Sequence, residues 1–254
     1  MASEHSKACC EAPVPDNMNP YQENGEWLQI AGRKTYINGS KTATRAIVWV
    51  YDIFGYSPQT LRGADIVARD LSAGNSPALI IVPDWFDGCV AEKAWVPPVT
   101  PEQQEKLGGF IQNKASPGLV VPRVLEFTKD IKNVFTSVEK IGIFGFCWGG
   151  KLASLACQQD KDSFVVAVQT SPARIDPEEA KNVSVPMALL SSGDEDADLI
   201  AKFADNLHSD KLLEVFSTQI HGWMSGRGDL EDPNVKAEYE RGYKIAVGFF
   251  DKHL

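Results

Sequence analysis

The sequence predicts an α/β protein in which a mostly parallel central sheet carries helices on both faces. Short, solid apolar runs recur along the chain, and they alternate with longer segments of helical periodicity. A strand that is apolar on both faces must be covered on both, and helical crossovers between parallel strands do that. The third observation is size: 254 residues, 43 % hydrophobic and 23 % charged, suffice to bury such a core.

Residues 1–25 are polar and aperiodic, with three prolines and three asparagines, and are expected to form an irregular tail. Cys9 and Cys10 lie in it with only His5 nearby, which favours a tail dithiol over a metal site. A single domain is expected from residue 26 onward. Strands are predicted at 45–52, 78–83, 140–146, 164–169, 185–192 and 212–217, each an apolar run bounded by polar or turn residues. Helical patterns fall near 58–73, 122–137, 149–158, 197–208 and 233–253. Residues 84–121, rich in Pro, Gly and Trp, exceed an ordinary connection and predict an insertion that closes over a site.

The formal charge of −9 repels phosphate backbones and anionic membrane surfaces, which argues against nucleic acid and membrane partners. No apolar run approaches the ~20 residues that span a bilayer, and the start lacks a basic segment followed by an apolar one. Five cysteines without a regular framework fit a reducing compartment, so a cytoplasmic protein is expected.

Chemistry concentrates at Gly145-Phe146-Cys147-Trp148-Gly149, which follows a strand and opens a helix. This is the G-x-nucleophile-x-G turn with cysteine in the central place. A turn sharp enough to lift one side chain above the sheet crowds the residues two before and two after it, so both must lack a Cβ. The helix that follows aims its amides at the same spot, favouring a thiolate and any oxyanion that develops there.

A thiol nucleophile needs a base, and the chain offers four histidines. His5 lies in the tail, His253 is penultimate and His208 ends a helical segment. His221 follows the last predicted strand, at the carboxyl edge where catalytic groups of open α/β sheets gather, and is the expected base. The acid is expected between nucleophile and base in chain order. Asp194, Glu195, Asp196 and Asp198 all occupy that interval, and spacing does not rank them.

Four blocks in order, Asp52-Ile-Phe-Gly55, Pro83-Asp84, Gly145-Phe-Cys-Trp-Gly-Gly150 and His221-Gly-Trp223, resemble the dienelactone hydrolase family over roughly residues 27–254. The resemblance implies an α/β-hydrolase fold and a Cys147, Asp196, His221 triad, with Asp194 as the second choice of acid. It implies oxyanion donors at the Ile53 and Trp148 amides and substrate contacts at Asp52, Trp223 and Arg227. The family's first substrate arginine has no counterpart after Pro83-Asp84, and Asp52 stands where many bacterial members have Glu. The expected activity is cysteine-dependent hydrolysis of lactones or small carboxylic esters through a thioacyl intermediate, with a small-molecule partner and neither cofactor nor metal. The competing readings are a non-catalytic small-molecule receptor or scaffold on the same fold, and a thiol redox protein resolved by Cys89 or Cys157.

Overall fold

The computed structural model describes residues 8, 14, 15 and 21–254. The expectations for Cys9, Cys10 and most of the tail lie outside these residues. The elements are β1 (Glu26–Ile30), β2 (Arg33–Asn38), β3 (Arg45–Val50), α1 (Pro58–Ala73), β4 (Leu79–Pro83), a 3-10 turn (Lys93–Trp95), α2 (Pro101–Asn113), α3 (Pro117–Val134), β5 (Lys140–Phe146), α4 (Trp148–Gln159), β6 (Val166–Thr170), α5 (Pro177–Ala180), β7 (Met187–Ser192), α6 (Ala197–Asn206), β8 (Lys211–Phe216) and α7 (Pro233–His253).

The strands form one eight-stranded sheet in the order β1-β2-β4-β3-β5-β6-β7-β8. From β4 to β8 every neighbour is parallel, while the β1–β2 hairpin adds antiparallel to the β4 edge. The mostly parallel sheet expected from the sequence is thus present, extended by a hairpin that the apolar runs did not reveal.

Alternation along β5 shows how two layers cover it. A Cβ on Gly142 would lie 3.0 Å from the Phe250 ring of α7, and Phe144 and Phe146 on the same face pack against Trp49 and Tyr243. A Cβ on Gly145, on the opposite face, would meet the Gly149 carbonyl of α4 at 2.2 Å. Helix α1 starts at an N-cap, Ser57, whose hydroxyl accepts from Thr60 N, with Pro58 in the first turn. Gly63 lets α1 pack closely against Tyr243 of α7, since a Cβ there would lie 2.0 Å from the tyrosine oxygen. Because β3 and β5 to β8 run parallel, the segments following them emerge at one edge of the sheet.

Candidate active site

The β5–α4 junction is the sharp turn the sequence predicts. Cys147 has φ 52° and ψ −113°, a conformation that costs a β-carbon residue about 1–3 kcal/mol and persists only when its surroundings impose it. Here they do: Cys147 N donates to Thr170 O at 3.0 Å, while its carbonyl accepts from Gly150 N at 3.0 Å and Ala173 N at 2.9 Å. A Cβ on Gly149 would sit 1.8 Å from the Val50 carbonyl, so the following helix can approach β3 only because that residue is glycine. The thiol is mostly covered, at 5 % exposure, and stands at the N-terminus of α4. Cys157, ten residues further along the same helix, is completely buried, and burial pushes its thiol up to about 12.

His221 lies in the loop after β8, with 1 % of its side chain exposed. Its Nδ1 meets Glu195 Oε1 at 3.0 Å, and Glu195 Oε2 accepts from the Ser191 hydroxyl at 2.7 Å. The backbone N–H of His221 donates to Asp194 Oδ2 at 3.0 Å, so two adjacent acids hold one histidine, one by its ring and one by its main chain. The β7–α6 and β8–α7 turns also meet directly, through Gly193 N to Gln219 O at 2.9 Å.

The expectation that Asp196 orients His221 is corrected by this geometry. Asp196 is the N-cap of α6, and its Oδ1 accepts from Asp198 N and Leu199 N, both at 3.0 Å. A carboxylate spent on capping amides faces its own helix. Glu195, one residue earlier and one methylene longer, has the reach to the ring. The signal was present in the sequence: an Asp immediately before Ala-Asp-Leu-Ile reads as a helix cap, which removes it from the candidates.

Three residues expected at the substrate are held by contacts within the protein. Trp223 is fully buried, its ring 4.3 Å from that of Phe216 and its far edge against Gly242 of α7, so it belongs to the core. Asp52 is 2 % exposed and accepts from Phe54 N and Gly226 N, both at 2.8 Å. Arg227 is 3 % exposed; its Nη1 reaches the His221 carbonyl at 3.4 Å and its guanidinium lies 5.9 Å from the Phe54 ring centre. It supports the histidine loop from within rather than standing free at the surface.

Ile53 and Trp148 end up beneath the 84–121 segment. Ala91 N donates to the Ile53 carbonyl at 2.9 Å, and the Trp148 indole N–H donates to the Ala115 carbonyl at 2.6 Å. The Trp148 ring packs 4.6 Å from Phe86, which in turn meets Phe110 of α2 at 5.0 Å. Asp84, the acid of the Pro83-Asp84 block, holds the start of that segment by accepting from Phe86 N at 3.1 Å and Gly88 N at 2.7 Å.

A parallel sheet with a strained strand-to-helix elbow and a buried, acid-held histidine at the same edge defines an α/β-hydrolase. The chain belongs to the dienelactone hydrolase family, matching it over residues 34–254, and is a hydrolase of the carboxylic ester and lactone class. It is 32 % identical over 251 residues to an uncharacterized AIM2 family protein of Schizosaccharomyces pombe, covering 95 % of this chain and 98 % of that one. It is 24 % identical over 243 residues to a carboxymethylenebutenolidase homolog of Homo sapiens, covering 91 % of each. Among solved structures, a dienelactone hydrolase from Anabaena variabilis superposes with a TM-score of 0.63 at 19 % identity, covering 92 % of this chain and 98 % of the other. Among the described residues no helix is long and apolar enough to cross a membrane.

Proposed function

We propose that this hydrolase opens lactones or small carboxylic esters through a thioacyl intermediate on Cys147, with His221 as base and Glu195 as the acid that orients it. The reading rests on the 3.0 Å contact between His221 Nδ1 and Glu195 Oε1, two buried side chains at the sheet edge where the elbow emerges. With Glu195 ionised, Nδ1 carries the proton and Nε2 is left as the base; the carboxylate then stabilises the imidazolium that forms.

The steps balance with this chain's own groups and water. His221 Nε2 takes the Cys147 proton, and Sγ attacks the carbonyl carbon. The oxyanion is received by the Ile53 and Trp148 amides, each donor lowering the barrier by ~3 kcal/mol. Collapse breaks the ester C–O bond, and His221 returns its proton to the leaving oxygen, which in a lactone stays attached to the acyl group. Water deprotonated by His221 then attacks the thioester, giving the acid and restoring the thiol.

The experiment is stopped-flow hydrolysis of a p-nitrophenyl ester under reducing conditions. A burst of one p-nitrophenol per chain, absent in Cys147→Ala while the circular dichroism is unchanged, is expected. A Cys147→Ala protein that turns over like the wild type contradicts the reading. A thiol redox protein or a small-molecule receptor would give no turnover in either form.

A further inference from the structure

Asp52 closes the gap between two loops that the proposed mechanism needs in register. Its Oδ1 accepts from Phe54 N at 2.8 Å, and the same turn is closed by Gly55 N to the Asp52 carbonyl at 3.2 Å. That turn carries the Ile53 peptide. Its Oδ2 accepts at 2.8 Å from Gly226 N, 174 residues away, in the loop that carries His221. The loops are in van der Waals contact at this point: a Cβ on Gly226 would lie 3.0 Å from Asp52 Oδ2 and 2.8 Å from the Phe54 ring.

Both partners of the Asp52 side chain are N–H donors, so the place requires acceptors on both oxygens. A carboxylate provides them, whereas an amide of the same shape turns an NH2 toward one of the two donors. The Asx turn alone would need only Oδ1. The second oxygen, bonded across to the histidine loop, has a consequence for the reaction, because the carbonyl is held by an amide from one loop and attacked with the help of a base from the other. Constellations of this kind work only when held to about 0.5 Å.

We propose that Asp52 is a positioning residue that fixes the oxyanion-donor loop against the base loop, and that it acts on geometry and not on the thiol. This rests on the reading of Cys147, His221 and Ile53 given above. A carboxylate that activated the thiol would alter the reactivity of Cys147 itself; a brace between loops alters only the alignment of groups around the substrate.

The test compares wild type with Asp52→Asn in p-nitrophenyl acetate hydrolysis, and in alkylation of Cys147 by iodoacetamide across pH, followed by intact mass. Asp52→Asn is expected to lower kcat by about tenfold to a hundredfold with KM within about twofold, and to leave the alkylation profile superimposed on that of the wild type. A kcat within about twofold of wild type overturns the proposal. A displaced alkylation profile overturns it too, by assigning Asp52 to the thiol. Should Asp52→Asn not fold, Gly226→Ala tests the same link from the opposite loop, with the same loss expected and an unchanged kcat overturning the proposal. Failure of the underlying reading is distinguishable, since the wild type would then form no acyl adduct on Cys147.

Discussion

Two strand-to-helix junctions at the same sheet edge behave in opposite ways. At β5–α4 the geometry is set by main-chain packing and glycines. Gly145 and Gly149 leave no room for a Cβ, and four backbone hydrogen bonds, two of them to Thr170 and Ala173 beyond the turn, hold Cys147 at φ 52°. At β7–α6 the turn from Gly193 to Asp196 presents three consecutive acids whose duties are assigned from outside. The ring of His221 meets Glu195, its main chain meets Asp194, and α6 takes Asp196. The place of Cys147 is thus marked in the sequence by the two glycines its turn requires, whereas which acid meets the His221 ring is decided by a partner 26 residues further on.

Glu195→Gln should produce the largest change that the comparison allows. It keeps the shape and loses the charge that fixes the histidine tautomer, so kcat should fall by about a thousandfold with the melting temperature little altered. Activity close to wild type would return the assignment to Asp194 or Asp196. Next is Gly149→Ala, whose methyl group would stand 1.8 Å from the Val50 carbonyl. Forcing the helix off the sheet should cost about 3 kcal/mol or more in urea unfolding. Loss of less than about 1 kcal/mol would mean that the elbow yields more easily than its geometry states.

Asp194→Ala strands a His221 main-chain N–H that is bonded at 3.0 Å, and an unmet buried donor costs about 1–3 kcal/mol. Steady-state assays should show roughly a tenfold loss in kcat. The smallest effect belongs to Asp196→Ala, where removal of the α6 cap should lower stability by about 1 kcal/mol and leave kcat within about twofold. A catalytic loss larger than that of Glu195→Gln would invert the assignment made for this turn.

The same division explains what the sequence disclosed. The buried parallel strands β3 to β7 are continuous apolar runs and were legible, as was the elbow. Strand β1, half exposed at the sheet edge, carries no such run. Helix α2 was read as part of an insertion because it buries only Leu107 and Phe110 and has two central glycines, so its apolar periodicity is faint. The helical pattern is read from about 122, yet α3 begins at Pro117 and accommodates Pro122 inside it. In the candidate site, the position of His221 at the carboxyl edge of the sheet is legible from its place after the last strand. For Trp223 and Arg227 the sequence is silent, because proximity in sequence to His221 does not tell which side of the loop a side chain occupies. Both turn inward, one to Phe216 and the other beneath the His221 carbonyl.

The most direct test of the central claim is to trap the acyl-enzyme. Wild type and Glu195→Gln are mixed with a panel of lactones and p-nitrophenyl esters, quenched in acid within milliseconds, and read by intact mass and peptide mapping. The account predicts one acyl group per chain, located on Cys147, formed at the rate of the p-nitrophenol burst and discharged as the acid product appears. Turnover that proceeds with no adduct, or with the acyl group on any other residue, would contradict it.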